Sequence, residues 1–155
     1  MPYLRACLDE SMRLSPPVAT DLMRTTPPEG ATIDGEQIPG NTNVSIAAYT
    51  AHRDTSIFDD PESFSPNRWL AKGSDELKER LASFIPFSAG TRGCIGRNVT
   101  NLMQGTAIST LVYHYDFALT DPCWDMEFEE WFNLWPLRLP LKVSRRVGYG
   151  HSTTE

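Results

Sequence analysis

The chain has 155 residues, 40% hydrophobic and 22% charged, which suits one globular domain and excludes a disordered polymer. Its net charge of -6, with no basic run, argues against nucleic acid as a partner. Cys7, Cys94 and Cys123 are too scattered for a disulfide framework, and no stretch approaches the roughly 18 apolar residues of a spanning helix, so the chain reads as soluble and intracellular.

The first element is a helix over Tyr3–Leu14, with Leu4, Cys7, Leu8, Met12 and Leu14 at roughly helical spacing and Pro2 suited to a first turn. Ser15, Pro16 and Pro17 end it. The pattern starts at once, without a leader, so the chain is expected to be part of a larger protein, and Met1 need not be its true start. Residues 18 to 50 predict a small antiparallel sheet around two turn signals, Asp34-Gly35 and Pro39-Gly40.

Residues 52 to 73 carry several aromatics without a period, which suggests an ordered, packed loop. Ser74 to Phe84 reads as a short polar helix or a solvated insertion. From Cys94 onward, Val99, Leu102, Met103, Ala107, Ile108, Leu111 and Val112 mark a second long helix, despite Gly105. Phe117 to Val147 reads as strands and turns, with Pro136 and Pro140 limiting any central strand. Residues 148–155 are expected to be a flexible tail.

Glu10 and Arg13, three apart, lie on one helical face and can meet. Taken alone, an ordinary surface pair worth well under about 1 kcal/mol explains them as well. Arg68 sits in "FSPNRW" among Phe64, Pro66 and Trp69. It either is buried against a carboxylate, for which Glu10 is a candidate, or faces solvent with its stem on Trp69.

The third constellation is "FSAGTRGCIG", Phe87 to Gly96. Its glycines match neither the dinucleotide spacing nor the Walker phosphate loop. A zinc site lacks a C-x-x-C pair, and His52, His114 and His151 are scattered. Nucleophilic catalysis by Cys94 with His52 or His114 stays open, though without a family signature. The loop offers an exposed thiol at a helix start, where free N–H groups and the helix dipole favour a thiolate. A lone outward thiolate suits an axial ligand to haem iron. Gly90 and Gly96 would let the backbone approach a flat macrocycle, Phe87 would shield the sulfur and Arg92 could pair with a propionate.

That stretch resembles the haem-binding signature F-x-x-G-x-R-x-C-x-G of the cytochrome P-450 superfamily, with Phe87, Gly90, Arg92, Cys94 and Gly96 in place. "ESMR" is similar to the family's E-x-x-R helix and "FSPNRW" to its aromatic-Pro-Arg-Trp meander. The three motifs stand in the family's order across nearly the whole chain, and the wording looks closest to fungal members, some of which act in secondary metabolism.

The resemblance implies a mainly α fold with small β-sheets, an α+β arrangement, as an incomplete C-terminal portion of the cytochrome P-450 fold. Residues 1–147 would form the haem-binding portion. Cys94 would ligate the iron of haem b, and Glu10, Arg13 and Arg68 would form a structural network. Arg24 and Arg92 would contact propionates, while Pro17 to Leu22 and the Trp131 to Leu134 turn would line the substrate side. Thr100 and Met103 depart from the alanine and glutamate of many relatives.

The family's oxygen-activating acid–alcohol pair lies on a helix ahead of the E-x-x-R helix, so no catalytic residue of that kind is assigned here. The implied function is a haem-thiolate monooxygenase that inserts one oxygen atom into a small apolar substrate. An NADPH-dependent reductase would supply electrons, meeting a cationic patch near Arg92 and Arg97. Full-length relatives would sit at the endoplasmic-reticulum membrane. The alternative is a truncated, non-catalytic haem-binding or degenerate fragment with exposed apolar core surface.

Overall fold

A computed structural model describes residues 1–71 and 73–147; the expected flexible tail, 148–155, lies outside the described residues. The first helix, α1, spans Pro2–Leu14, with proline in its first turn as expected. Its most buried positions are Ala6, Glu10, Met12 and Arg13, whereas Leu4, Cys7, Leu8 and Leu14 are only half-buried. Half of the face turned inward is therefore ionic, and of its four residues the apolar periodicity marks only Met12.

Instead of one sheet, residues 18 to 50 form two two-stranded ones. Strand β1 (Arg24–Thr25) pairs with β4 (Asn43–Val44), and β2 (Ala31–Ile33) with β3 (Glu36–Ile38), both antiparallel. Asp34 and Gly35 join β2 to β3 with φ of 49° and 82°, the two positive values that a two-residue primed turn requires. At the second turn signal the left-handed residue is Asn41, φ 58°.

After the short helix α2 (Ala48–Ala51), the irregular segment packs as expected: Phe58 is fully buried, and a 3-10 turn over Pro66–Trp69 buries Arg68 and Trp69. Ala6, Phe58 and Trp69 form the apolar centre, with Ile57, Leu77 and Phe84 against it. Of the two readings for Ser74 to Phe84, the helix holds: α3 spans Asp75–Ser83. The Ser74 Oγ accepts the Leu77 N–H at 3.1 Å, and Asp75 and Glu76 complement the helix start.

The long helix α4 runs Arg97–His114, three residues later than the pattern from Cys94 suggested, because Gly96 is its cap. None of its residues is fully buried, and Val99, Leu102, Met103, Ile108, Leu111 and Val112 are exposed. So apolar a helix is ordinarily covered on most sides. The strands that follow form two more antiparallel pairs. They are β5 (Tyr115–Leu119) with β8 (Leu141–Arg145), and β6 (Phe128–Glu130) with β7 (Leu134–Pro136). Pro136 ends a strand with one neighbour, where its missing N–H costs nothing.

Candidate functional site

Glu10 sits at the centre of a buried polar cluster. Its Oε1 accepts from Arg13 Nη2 (2.9 Å), Arg68 Nε (3.0 Å) and the Ser65 N–H (2.8 Å). Its Oε2 accepts from Arg13 Nε and Trp69 Nε1, both at 2.9 Å. Burial pushes the carboxyl up, but the bonds from Arg13, the Ser65 N–H and Trp69 outweigh it and hold Glu10 below the ordinary carboxylate range.

The rest of Arg13 is satisfied by carbonyls: Nη1 donates to His52 (3.0 Å) and Pro61 (2.6 Å), and Nη2 to Ser63 (3.1 Å). Arg68 adds the Asp59 carbonyl at 3.0 Å. Two cations on one carboxylate leave an excess positive charge, which these carbonyl dipoles help to solvate. Of the two readings of Arg68, the structure places it in the buried one, joined to Glu10 and Arg13. Sequence offers Trp69 only as a surface for the Arg68 stem and as the meander tryptophan, not as a donor to Glu10, and it singles out neither Ser65 nor Arg80. The Arg80 side chain is also buried, reaching the Arg68 carbonyl at 3.4 Å. The indole N–H of Trp69, beside a candidate buried arginine, was the one available signal.

His52 is fully buried between this cluster and the cysteine loop. Its Nδ1 lies 3.2 Å from the Arg13 carbonyl, which can only accept, so Nδ1 carries the proton. Its Nε2 accepts the Ile85 N–H at 2.9 Å. Burial lowers its pKa from 6.5 to about 4; the bond to the Arg13 carbonyl acts against that, and the Arg13 and Arg53 charges act with it. With both nitrogens engaged by backbone, His52 offers no base to Cys94. His114 ends α4, about 25 Å along the helix from its start at a rise of 1.5 Å per residue. The cysteine–histidine reading therefore finds no partner in either ring.

The loop before α4 folds on itself. The Cys94 N–H donates to the Phe87 carbonyl at 2.8 Å and the Gly93 N–H to Gly90 at 3.1 Å. Gly90 has φ 69°, a left-handed value that a side chain would strain, so its backbone form rather than a close approach explains the glycine. A Cβ on Gly96 would lie 3.7 Å from the Cys94 Sγ, against the sulfur. Cys94 is exposed, and the N–H groups of Ile95 and Gly96 have no partner among the described residues. Phe87 is half-buried, and Arg92 and Arg97 are exposed. Together these residues offer a reachable thiol, two open N–H donors next to it in sequence, and exposed arginines on the loop and at the start of α4, a donor set that fits a flat, anionic iron cofactor.

Arg24 stands apart on β1, its Nη1 donating to the carbonyls of Leu22 (3.0 Å) and Met23 (2.9 Å), and no hydrogen bond joins it to the loop. The two segments expected on the substrate side do meet: the Leu134 N–H donates to the Pro17 carbonyl at 2.7 Å. Beside that contact an open pocket of about 370 Å³ is lined by Glu129, Trp131, Phe132, Asn133 and Trp135. No described helix is long and apolar enough to cross a membrane.

The model of the cytochrome P-450 family matches residues 1–142. A cytochrome P-450 monooxygenase, lnbC, of Aspergillus flavus is 42% identical over 149 residues, covering 95% of this chain and 29% of that protein. The monooxygenase atr2 of Stereocaulon alpinum is 36% identical, covering 94% of this chain and 29% of its own. The chain thus spans about three-tenths of the length of the curated relatives it matches. A crystal structure of a cytochrome P-450 superposes with a TM-score of 0.76 at 28% identity, covering 93% of this chain and 32% of the other. A second, a cytochrome P-450 heme domain, gives 0.77 at 20% identity and likens the fold alone, covering 92% and 30%.

Proposed function

This chain belongs to the cytochrome P-450 family, and from that premise we propose that residues 1–147 are the C-terminal, haem-ligating portion of a haem-thiolate monooxygenase. One observation carries the reading: Cys94 is exposed ahead of α4 on a loop tied down by its own N–H on the Phe87 carbonyl. When bound as haem b, the cofactor supplies activation of molecular oxygen and transfer of one atom to an apolar substrate.

The chain's own residues have separate tasks in this proposal. Cys94 binds the iron as thiolate, and the free N–H groups of Ile95 and Gly96 donate toward the sulfur and limit its electron donation. Gly90 turns the loop, Gly96 leaves the sulfur's flank clear, and Phe87 screens it from water. Arg92 meets a propionate, and Arg24 does so by giving up its two local carbonyls. The Glu10–Arg13–Arg68 network positions the loop without touching the cofactor. Pro17 to Leu22 and Trp131 to Leu134, joined by a hydrogen bond, orient the apolar substrate. An NADPH-dependent reductase docks against Arg92 and Arg97, and the full-length protein resides at the endoplasmic-reticulum membrane.

A second reading is favoured by α4, whose apolar side chains stand exposed in these 155 residues. On that ground the chain by itself binds haem weakly and shows little turnover. Reduction with dithionite in the presence of haem and carbon monoxide tests both. Thiolate ligation gives a strongly red-shifted Soret band that Cys94→Ala abolishes. A band that survives Cys94→Ala sinks the ligand assignment. Turnover of an apolar substrate with reductase would overturn the second reading.

A further inference from the structure

We propose that His52 is a positioning residue for the Cys94 loop: its neutral ring ties the loop's entrance at Ile85 to the end of α1, and protonation of the ring releases that tie. The proposal rests on the reading of Cys94 as ligand only for its consequence at the cofactor.

Ile85 opens the stretch that leads to Cys94. Its N–H has the His52 Nε2 as acceptor at 2.9 Å, and its carbonyl accepts the Ser88 N–H at 2.9 Å. Two residues on, the Phe87 carbonyl accepts the Cys94 N–H at 2.8 Å. A short chain of hydrogen bonds thus runs from the imidazole to the cysteine backbone. On the other side, Nδ1–H meets the Arg13 carbonyl at 3.2 Å, while Arg13 Nη1 returns to the His52 carbonyl at 3.0 Å. The ring also packs on Phe84 (5.2 Å between centroids), which packs on Trp69 (4.8 Å), the indole that donates to Glu10.

Protonating Nε2 turns an acceptor into a donor that faces another donor, so the half-buried Ile85 N–H loses its partner. The charged groups beside the ring are Arg13 and Arg53, both cationic, and Phe84 and Ile85 on the loop side carry no charge. Among the described residues no carboxylate hydrogen-bonds to the imidazole, since Glu10 directs both oxygens to Arg13, Arg68, Trp69 and Ser65. The ring therefore stays neutral through the physiological range and gives way in acid, with a pKa lowered to about 4 by burial.

Nuclear magnetic resonance on the ¹⁵N-labelled chain tests this directly. The His52 nitrogens should show the Nδ1–H tautomer at pH 7, with Nε2 unprotonated until below pH 5. The Ile85 amide should lose on the order of 100-fold of its exchange protection between pH 6 and pH 3, because the protonated, released fraction rises from about 1% to about 90% around a pKa near 4. The Phe58 amide, bonded to the Asp54 carbonyl in the apolar core, serves as reference for global unfolding. His52→Gln, which offers both an acceptor and a donor but does not titrate, should keep Ile85 protected over the same range. His52→Asn, too short to reach with an acceptor, should leave Ile85 unprotected at every pH.

A His52 that titrates near 6.5, an Nε2–H tautomer, or an Ile85 amide that follows Phe58 overturns the proposal. So does equal protection of Ile85 in the Asn and Gln variants. The wild-type nitrogen shifts decide on their own if a variant does not fold. None of these readouts needs haem: a red-shifted carbon monoxide band that survives Cys94→Ala, with His52 behaving as described, refutes Cys94 as ligand and leaves the tie intact.

Discussion

Glu10→Gln keeps the shape of the side chain at the centre of the cluster while removing one charge and one acceptor oxygen. If the amide nitrogen takes the Oε2 position, it faces Arg13 Nε and Trp69 Nε1, each now 2.9 Å from a donor. In the other orientation it faces Arg13 Nη2, Arg68 Nε and the Ser65 N–H. Either way at least two donors lose their acceptor, and Arg13 and Arg68 remain buried without a counter-charge. Removing one partner of a buried, bonded pair costs about 3–5 kcal/mol. At a urea slope of about 2 kcal/mol per M, the unfolding midpoint should fall by about 2 M.

The pH dependence gives the same experiment a second reading. Because the folded carboxyl is held below 4.5, its stabilisation is complete above that pH and is lost as pH falls through the lowered folded value. Wild type should therefore lose stability on that acid limb, and Glu10→Gln should lack that part of the loss. Urea titrations at several pH values measure both. A loss below about 1 kcal/mol at pH 7 would place Glu10 among ordinary exposed ion pairs and refute the reasoning.

Trp69→Phe keeps ring packing on Phe58 and Phe84 but removes the indole donor to Glu10, and should cost about 1.5–3 kcal/mol in the same titration, as befits a bond to a charged acceptor. Gly90→Ala meets no atom within 4 Å, so its cost is the left-handed backbone alone, about 1–2 kcal/mol. It should appear as faster exchange of the Cys94 amide, and an unchanged rate would show that the loop does not depend on that turn. Ser74→Ala removes the α3 cap to the Leu77 N–H and should cost about 1 kcal/mol, with fraying seen as faster Leu77 exchange.

Much of the local architecture was legible because it is set by neighbours in sequence. Pro2 and the Ser15-Pro16-Pro17 stop bound α1, Asp34-Gly35 makes its primed turn, and the three motifs mark the family. The site was legible in outline: spacing alone puts Glu10 and Arg13 together, and a lone cysteine among glycines asks for a ligand role. Trp69, His52 and Arg80 were missed as members of the cluster. Each acts across 12 to 59 residues of chain, where no periodicity carries information. Likewise the start of α4 moved to Arg97, since apolar spacing does not register a cap at Gly96.

Sequence by itself determined the family, the candidate ligand Cys94 and the helical face shared by Glu10 and Arg13, because motif, residue type and spacing are properties of the chain. Only tertiary structure decided that Arg68 is buried and that His52 is neutral. Those outcomes depend on which distant carbonyls and carboxylates meet a side chain, and on how much water is excluded when they do.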